Sequence, residues 1–310
     1  MAIVILIILL VLMLELPLII SILFNHERPG KEMYINQNRR RDITYFADCA
    51  KEEIEDAKIN GDLIVYQDGK AAHCVDGAWF EDESTDLLVY SEDDIVIPKI
   101  MKFIHNTVYS EGSIKNHASN VDVDALFAKH NITINAPMTI NKWVLSEDVL
   151  TINAKTTFKS RASGYEVIQV NAPLNFKRLF SKKIRIGNAK DEGLKLPHDL
   201  KKENFITKDT FELDEKFILN GDMKGHKDVI LPKGSIVNGN IFAEGKIILN
   251  EGCRVNGIVF SQDRIEIHKG CVIGEENETI SVIARNGITI EDECIIYGFI
   301  ECDKGSEIVM

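Results

Sequence analysis

The chain has 310 residues, 45% hydrophobic and 27% charged, with 36 Lys and Arg against 48 Asp and Glu. That length supports a buried core without disulfide staples. A net charge of −12 argues against a general nucleic-acid binder, which would carry a basic face. Aromatic residues make up only 7% while Ile and Val abound, which favours strands.

Residues 2–24, AIVILIILLVLMLELPLIISILF, form an apolar run with one charge, Glu15. As a helix it would be about 34 Å long, enough to cross a hydrocarbon core of about 30 Å. No basic n-region or small-residue cleavage site accompanies it, so residues 1–25 are expected to be a retained single-pass anchor in the lipid bilayer. Pro17 removes a backbone donor and is expected to kink the span. Glu15 at membrane depth is either protonated or turned to a partner helix or an internal polar group. Arg28, Lys31, Arg39, Arg40 and Arg41 follow the run, which places the large C-terminal part on the cytoplasmic side of the cell membrane. Six cysteines, Cys49, Cys74, Cys253, Cys271, Cys294 and Cys302, show no close metal-like or redox-like pairing and fit a reducing compartment.

Beyond Pro29 and Gly30, residues 26–59 are predicted to be a helical stalk, since Phe46, Ala50, Ile54 and Ala57 fall at helical spacing. Residues 60–125 alternate short apolar runs with acidic turns. They are expected to form a small α+β region, with a second helix around 97–105, or a cap over the end of the C-terminal repeats.

Internal repetition is the strongest signal. Three segments align at intervals of 18: NITINAPMTIN (131–141), VLTINAKTTFK (149–159) and VIQVNAPLNFK (167–177). A second block repeats the interval, Gly234 meeting Gly252, Val237 meeting Val255 and Gly239 meeting Gly257. Within it, apolar positions recur every six residues, for example Val229, Ile241, Ile247, Val259 and Ile265. Three flats per 18-residue rung describe a mainly β fold, a triangular parallel β-solenoid whose rungs bury their apolar face only against neighbours. It is expected over 126–305, with about seven rungs, an interruption around 191–222 and a tail at 306–310. Asn135, Asn153 and Asn171 should stack as an amide ladder. Cys253, Cys271 and Cys294 should form an interior thiol column, and no histidine shares their spacing.

A solenoid end exposes strand edges and an apolar cross-section. The last recognisable rung reaches Cys302 with no capping helix after it, so an assembly edge is expected at Ile288, Ile290, Ile296, Ile300, Ile308 and Val309, together with the rung nearest Asn131. The alternative is that the tail folds over that rung.

The glycine-punctuated repeats GSIVNGNIFAEGKIILNEGCRVNGIVFSQDRIEIHKGCVIG resemble bactofilins, over roughly residues 225–305. That resemblance implies a polymer-forming bacterial scaffold that assembles without nucleotide, works at the membrane and positions client proteins. The integral anchor and the 60–125 segment depart from that pattern. Residues 2–57, with Tyr45-Phe46-Ala47-Asp48-Cys49-Ala50, look like the start of type IV pilin-like minor pilins, which would put the solenoid outside the cell. The basic leader and its glycine are not in the sequence. Six-residue repeats also suggest hexapeptide acyltransferases, with His226 or His268 as the base, although spacing identifies no partner acid for either. No metalloprotease, phosphate-loop or serine-hydrolase motif occurs. The expectation is therefore a non-enzymatic, membrane-anchored homo-oligomer or polymer, with no cofactor or metal and no nucleic-acid partner.

Overall fold

In the computed structural model, the described residues are 45–60, 63–67, 70–73, 83–191, 193, 201–276 and 278–310. The expected anchor, with Glu15 and Pro17, lies outside them. No helix among the described residues is long and apolar enough to cross a membrane.

The chain forms a β-solenoid of about 12 turns with rungs of about 18 residues. Rung geometry follows from side-chain alternation: residues with an even offset point inward and pile into columns. Ile114, Ile132, Leu150, Ile168 and Ile184 make one such column, paired rung to rung and 0% exposed. Val229, Ile247, Ile265 and Ile288 make another, at most 1% exposed. Each fully buried Ile is worth roughly 1.5–3 kcal/mol over an exposed one.

The winding begins earlier than the repeats suggest. Strands Ser84–Thr85, Leu88–Ser91 and Ile95–Ile97 already pair in parallel with the next rung, so the region expected to be a small α+β unit is solenoid from residue 84 onward. Residues 97–105 form no helix. Strand Ile95–Ile97 ends there and strand Phe103–Ser110 begins. The signal was obscured because these rungs run to 19 residues, Val89 lying beside Val108 and Ile95 beside Ile114.

The region expected to interrupt the solenoid also shrinks. Strands Phe205–Thr207, Phe211–Glu212 and Ile218–Asn220 form a complete rung, each pairing in parallel with the strand 18 residues on. Residues 187–204, several of which lie outside the described ones, separate two stacks in the sequence. The first stack ends in strand Leu174–Ile186 and the second in strand Ile295–Ile308.

These two final strands pair with each other, antiparallel. Leu174 faces Ile308, Leu179 faces Ile300 and Ile184 faces Ile296, and all six are at most 1% exposed. Arg178 and Glu301 form an ion pair of 2.8 Å across this seam. Both stacks therefore wind toward a common junction, and their strands circulate in opposite senses where they meet. Opposite advance combined with opposite circulation means that the two stacks share one handedness. Their interiors merge into a single apolar core running from Val89 to Ile308.

The helix of the predicted stalk, here α1 (Tyr45–Asn60), lies against the solenoid flank. Ala47, Ala50 and Ile54, spaced three and four apart, bury one helical stripe on Leu88, Tyr90, Tyr109, Phe127 and Leu145. Tyr90, Tyr109, Phe127 and Leu145 form an outward-facing column, with Tyr109 and Phe127 ring centroids 4.3 Å apart and Phe46 stacked on Trp143 at 6.1 Å. Residues 45–60 are thus a packed element, because an apolar outer column needs a cover.

Corners set the closest backbone approach. A methyl placed on Gly239 would lie 2.3 Å from the Gly221 carbonyl oxygen of the rung before, and one on Gly257 would lie 2.4 Å from that of Gly239. Gly234, Gly252 and Gly270 form a second column for a different reason, with φ of 72°, 69° and 74°. We expect Gly239→Ala to cost at least about 2 kcal/mol, since neighbouring backbones must separate. Gly287→Ala, whose new methyl meets only the Arg264 side chain at 3.4 Å, should be near neutral; chemical denaturation of both variants checks the contrast.

Candidate functional site

The asparagines of the first stack meet rung to rung. Asn153 donates its amide to Asn135 at 2.9 Å and Asn171 donates to Asn153 at 2.8 Å. The Asn171 carbonyl accepts from Gln169 at 2.6 Å, which closes the ladder at its seam end. A second ladder went unread in the sequence: Asn238 donates to Asn220 at 2.8 Å and Asn256 to Asn238 at 3.3 Å. Its signal was present in the two Val-Asn-Gly triplets at 237–239 and 255–257.

Cys253, Cys271 and Cys294 are buried, unoxidised and stacked. Each thiol donates to the carbonyl of an earlier corner: Cys253 to Pro232 at 3.2 Å, Cys271 to Asn250 at 3.2 Å and Cys294 to His268 at 3.1 Å. The flanking thiols Cys253 and Cys294, with burial, push the Cys271 thiol well above its ordinary range. Such a group is poorly nucleophilic. Among the described residues no cluster of three His, Cys, Asp or Glu side chains is placed to hold a metal ion.

The expected assembly edge is not open. Ile288, Ile290, Ile296, Ile300 and Ile308 are at most 1% exposed, and of that set only Val309 is exposed, at 47%. Strand Leu174–Ile186 covers the final rung, so the two strand edges satisfy one another. The rung nearest Asn131 is interior as well, with residues 114–116 on one side and 150–152 on the other.

Among the described residues, partly exposed inward side chains occur at the opposite pole of the second stack, in the rung 205–220. Two inward columns end there in exposed side chains. Phe205 is 39% exposed although Met223 and Ile241 beneath it are at 1% and 0%, and Leu213 is 49% exposed above Leu231 at 0%. Ile206 and Ile218, on the outer surface of this rung, are 65% and 43% exposed. Phe205, Phe211 and Phe217 meet edge to face at 5.2 and 5.5 Å, where the rung below carries Met223, Val229 and Ser235. Large rings thus plug part of the cross-section and leave the rest in solvent. The columns Phe205–Met223–Ile241 and Leu213–Leu231–Leu249 could have been read from the 18-residue interval. They were hidden by the charged stretch beside them.

Two clefts flank the seam. One, of about 520 Å³, is lined by Lys159, Lys177, Arg264 and Lys304 against a single acid, Glu307. The other, of about 590 Å³, lies beside Gln169, Asn171 and Arg185. The histidines named as candidate bases lie in neither. His226 pairs with Glu244 at 2.8 Å and His268 with Glu291 at 2.9 Å, and His130 repeats the arrangement with Asp148 at 3.0 Å. Their partner acids lie one rung on, at offsets of 18 and 23, so the same interval that gave the fold could have identified them.

Comparison with known proteins finds no match, since no family model, curated protein or solved structure corresponds to this chain.

The connection leaving the seam is pinned at Asp191. Its carboxylate accepts from Arg254 at 2.7 Å, from the Tyr297 hydroxyl at 2.8 Å and from the Gly193 amide at 2.9 Å, with the Arg254 and Asp191 side chains only 12% and 13% exposed. Burial pushes Asp191 up, but these three donors outweigh it and hold the group at about 2. A depressed carboxylate contributes stability above its unfolded pKa of about 3.9, and loses it as pH falls through about 2. Asp191→Asn should therefore lower unfolding free energy by about 2 kcal/mol near neutral pH. The difference should vanish by about pH 2, as denaturant titrations across that range would show.

Proposed function

We propose that the chain is a non-enzymatic, membrane-anchored structural scaffold that associates with further copies through the end of its solenoid, in the manner of polymer-forming bactofilins. The observation that carries this reading is the rung 205–220, where inward-facing Phe205 and Leu213 are 39% and 49% exposed although Met223 and Leu231 beneath them are buried. A partly exposed apolar cross-section at the end of a solenoid is a template for another copy. The apolar run 2–24 supports attachment to a bilayer, and the cations after it favour the cytoplasmic side. Tethering would raise the local concentration of these ends and so favour association. The regularity of the columns supports a mechanical role, since most buried side chains are committed to stacking.

In this reading, association of the full chain in detergent is concentration-dependent and passes through the rung 205–220. Leu213→Lys should weaken it at least tenfold, by placing a charge in the contact. Val309→Lys, at the exposed residue beyond the seam, should leave it unchanged. Sedimentation velocity of the three proteins tests this; equal association of Leu213→Lys and the parent would overturn it.

A further inference from the structure

We infer that the cleft of about 520 Å³ beside the seam binds a free polyanion carrying two or more phosphate-type groups. The site is independent of self-association. Its volume falls within the range of about 300–1,000 Å³ usual for small-molecule sites.

The seam itself makes the cleft. Along it the pair Phe176–Ser306 is followed by the pair Arg178–Glu301, so Lys177 alone stands against residues 302–305. The extra residues bulge from the sheet, and Lys304 among them lines the cleft. Ser306 lies beside Ile288, which places Gly305 next to Gly287, and Gly287 in turn lies beside Arg264. Two successive rungs therefore lack a side chain at this position. Gly305 has a φ of 108°, which disfavours any other residue there. The result is a hollow with Lys159 and Lys177 of the first stack on one side and Arg264 of the second on the other. All the residues that wall it, and the chain on either side of each, lie among the described ones.

Charge points to the ligand. The chain carries a net −12, yet four cations meet one acid here. Elsewhere exposed lysines have a carboxylate one rung away, as Lys182 has Glu166 and Lys227 has Asp209. Lys159, Lys177, Arg264 and Lys304 have none among the described residues. Glu307, the acid in the wall, already accepts from the Thr289 hydroxyl at 3.4 Å. Asp303 shares the bulge but does not line the cleft. Unpaired cations around one hollow repel one another, and a multiply charged anion relieves that repulsion better than a single charge. Arg264 supplies a planar fork that can take two oxygens of one tetrahedral oxyanion, while the lysines supply point charges.

A second observation lies in the same wall. Ser306 is 8% exposed, and its hydroxyl is the buried side-chain polar atom that lacks a hydrogen-bond partner among the described residues. Buried hydroxyls are ordinarily satisfied, so the wall holds a spare donor. None of the exposed large apolar side chains lines the cleft, as insertion beside a lipid headgroup would use, and this favours a free compound.

The test is calorimetric titration of the full chain, in an uncharged detergent at low salt, with inorganic pyrophosphate. The expected result is one site per chain, with inorganic phosphate bound about tenfold more weakly. Arg264→Gln and Lys177→Gln should each weaken pyrophosphate binding about tenfold, and Lys177→Arg, which keeps the charge, should bind like the parent. Lys233→Gln, at an exposed corner outside the cleft, should leave binding unchanged. Thermal unfolding of each variant without ligand checks that the fold is retained. No binding by the parent, or equal affinity in the parent and both cleft variants, would overturn the site. Equal loss in Lys233→Gln would reduce the effect to unspecific charge attraction and overturn it as well. Phosphate bound as tightly as pyrophosphate would overturn the polyanion class. Displacement of pyrophosphate by phosphatidylglycerol mixed into the micelle would overturn the free ligand in favour of a lipid headgroup.

Discussion

A parallel strand stack is never complete by itself: each rung satisfies the edge beneath it and offers another above. This unmet edge, with the apolar cross-section it encloses, governs the molecule. The chain deals with it at the middle by winding two stacks toward each other and closing their last rungs in one antiparallel seam. The core then runs through the junction without a polar break. Among the described residues, the rung 205–220 at the pole of the second stack leaves Phe205 and Leu213 partly exposed, and that is where the case for assembly rests.

The columns that run along the stacks are of several chemical kinds with one geometric cause. Aliphatic side chains pile into dry files, amides chain by donating to the previous rung, and thiols tie themselves to corner carbonyls. At the corners, Gly221, Gly239 and Gly257 allow backbone to approach where any side chain would collide with a carbonyl oxygen. Ion pairs add His–acid and Lys–acid links one rung apart at the exposed corners, where solvent limits their worth. The buried link of Arg254 to Asp191 differs, because it fixes the connection between the stacks to the flank of the second one.

The outer surface shows how far a solenoid departs from strict repetition when it must carry another element. Tyr90, Tyr109 and Phe127 occupy an outward column that would otherwise face water. α1 covers it with a stripe of small residues, and Ala47 and Ala50 let the helix approach closely. The helical spacing was visible in the sequence, but the surface it packs on was not. Tyr90, Tyr109 and Phe127 belong to rungs of uneven length, whose register emerges only from the pairing of strands.

By itself the sequence determined the rung: its length, its three flats, the apolar files and the asparagine ladder at 135, 153 and 171, because each depends on residues a constant distance apart. It equally contained the rungs at 84–97 and 205–220 and the acids beside His226 and His268, in columns that charged or irregular neighbours obscured. Tertiary structure alone decided which ends are closed. The seam depends on two strands over a hundred residues apart whose edges satisfy each other. Repetition encodes how a rung stacks on its successor, and says nothing about which final rung will meet which.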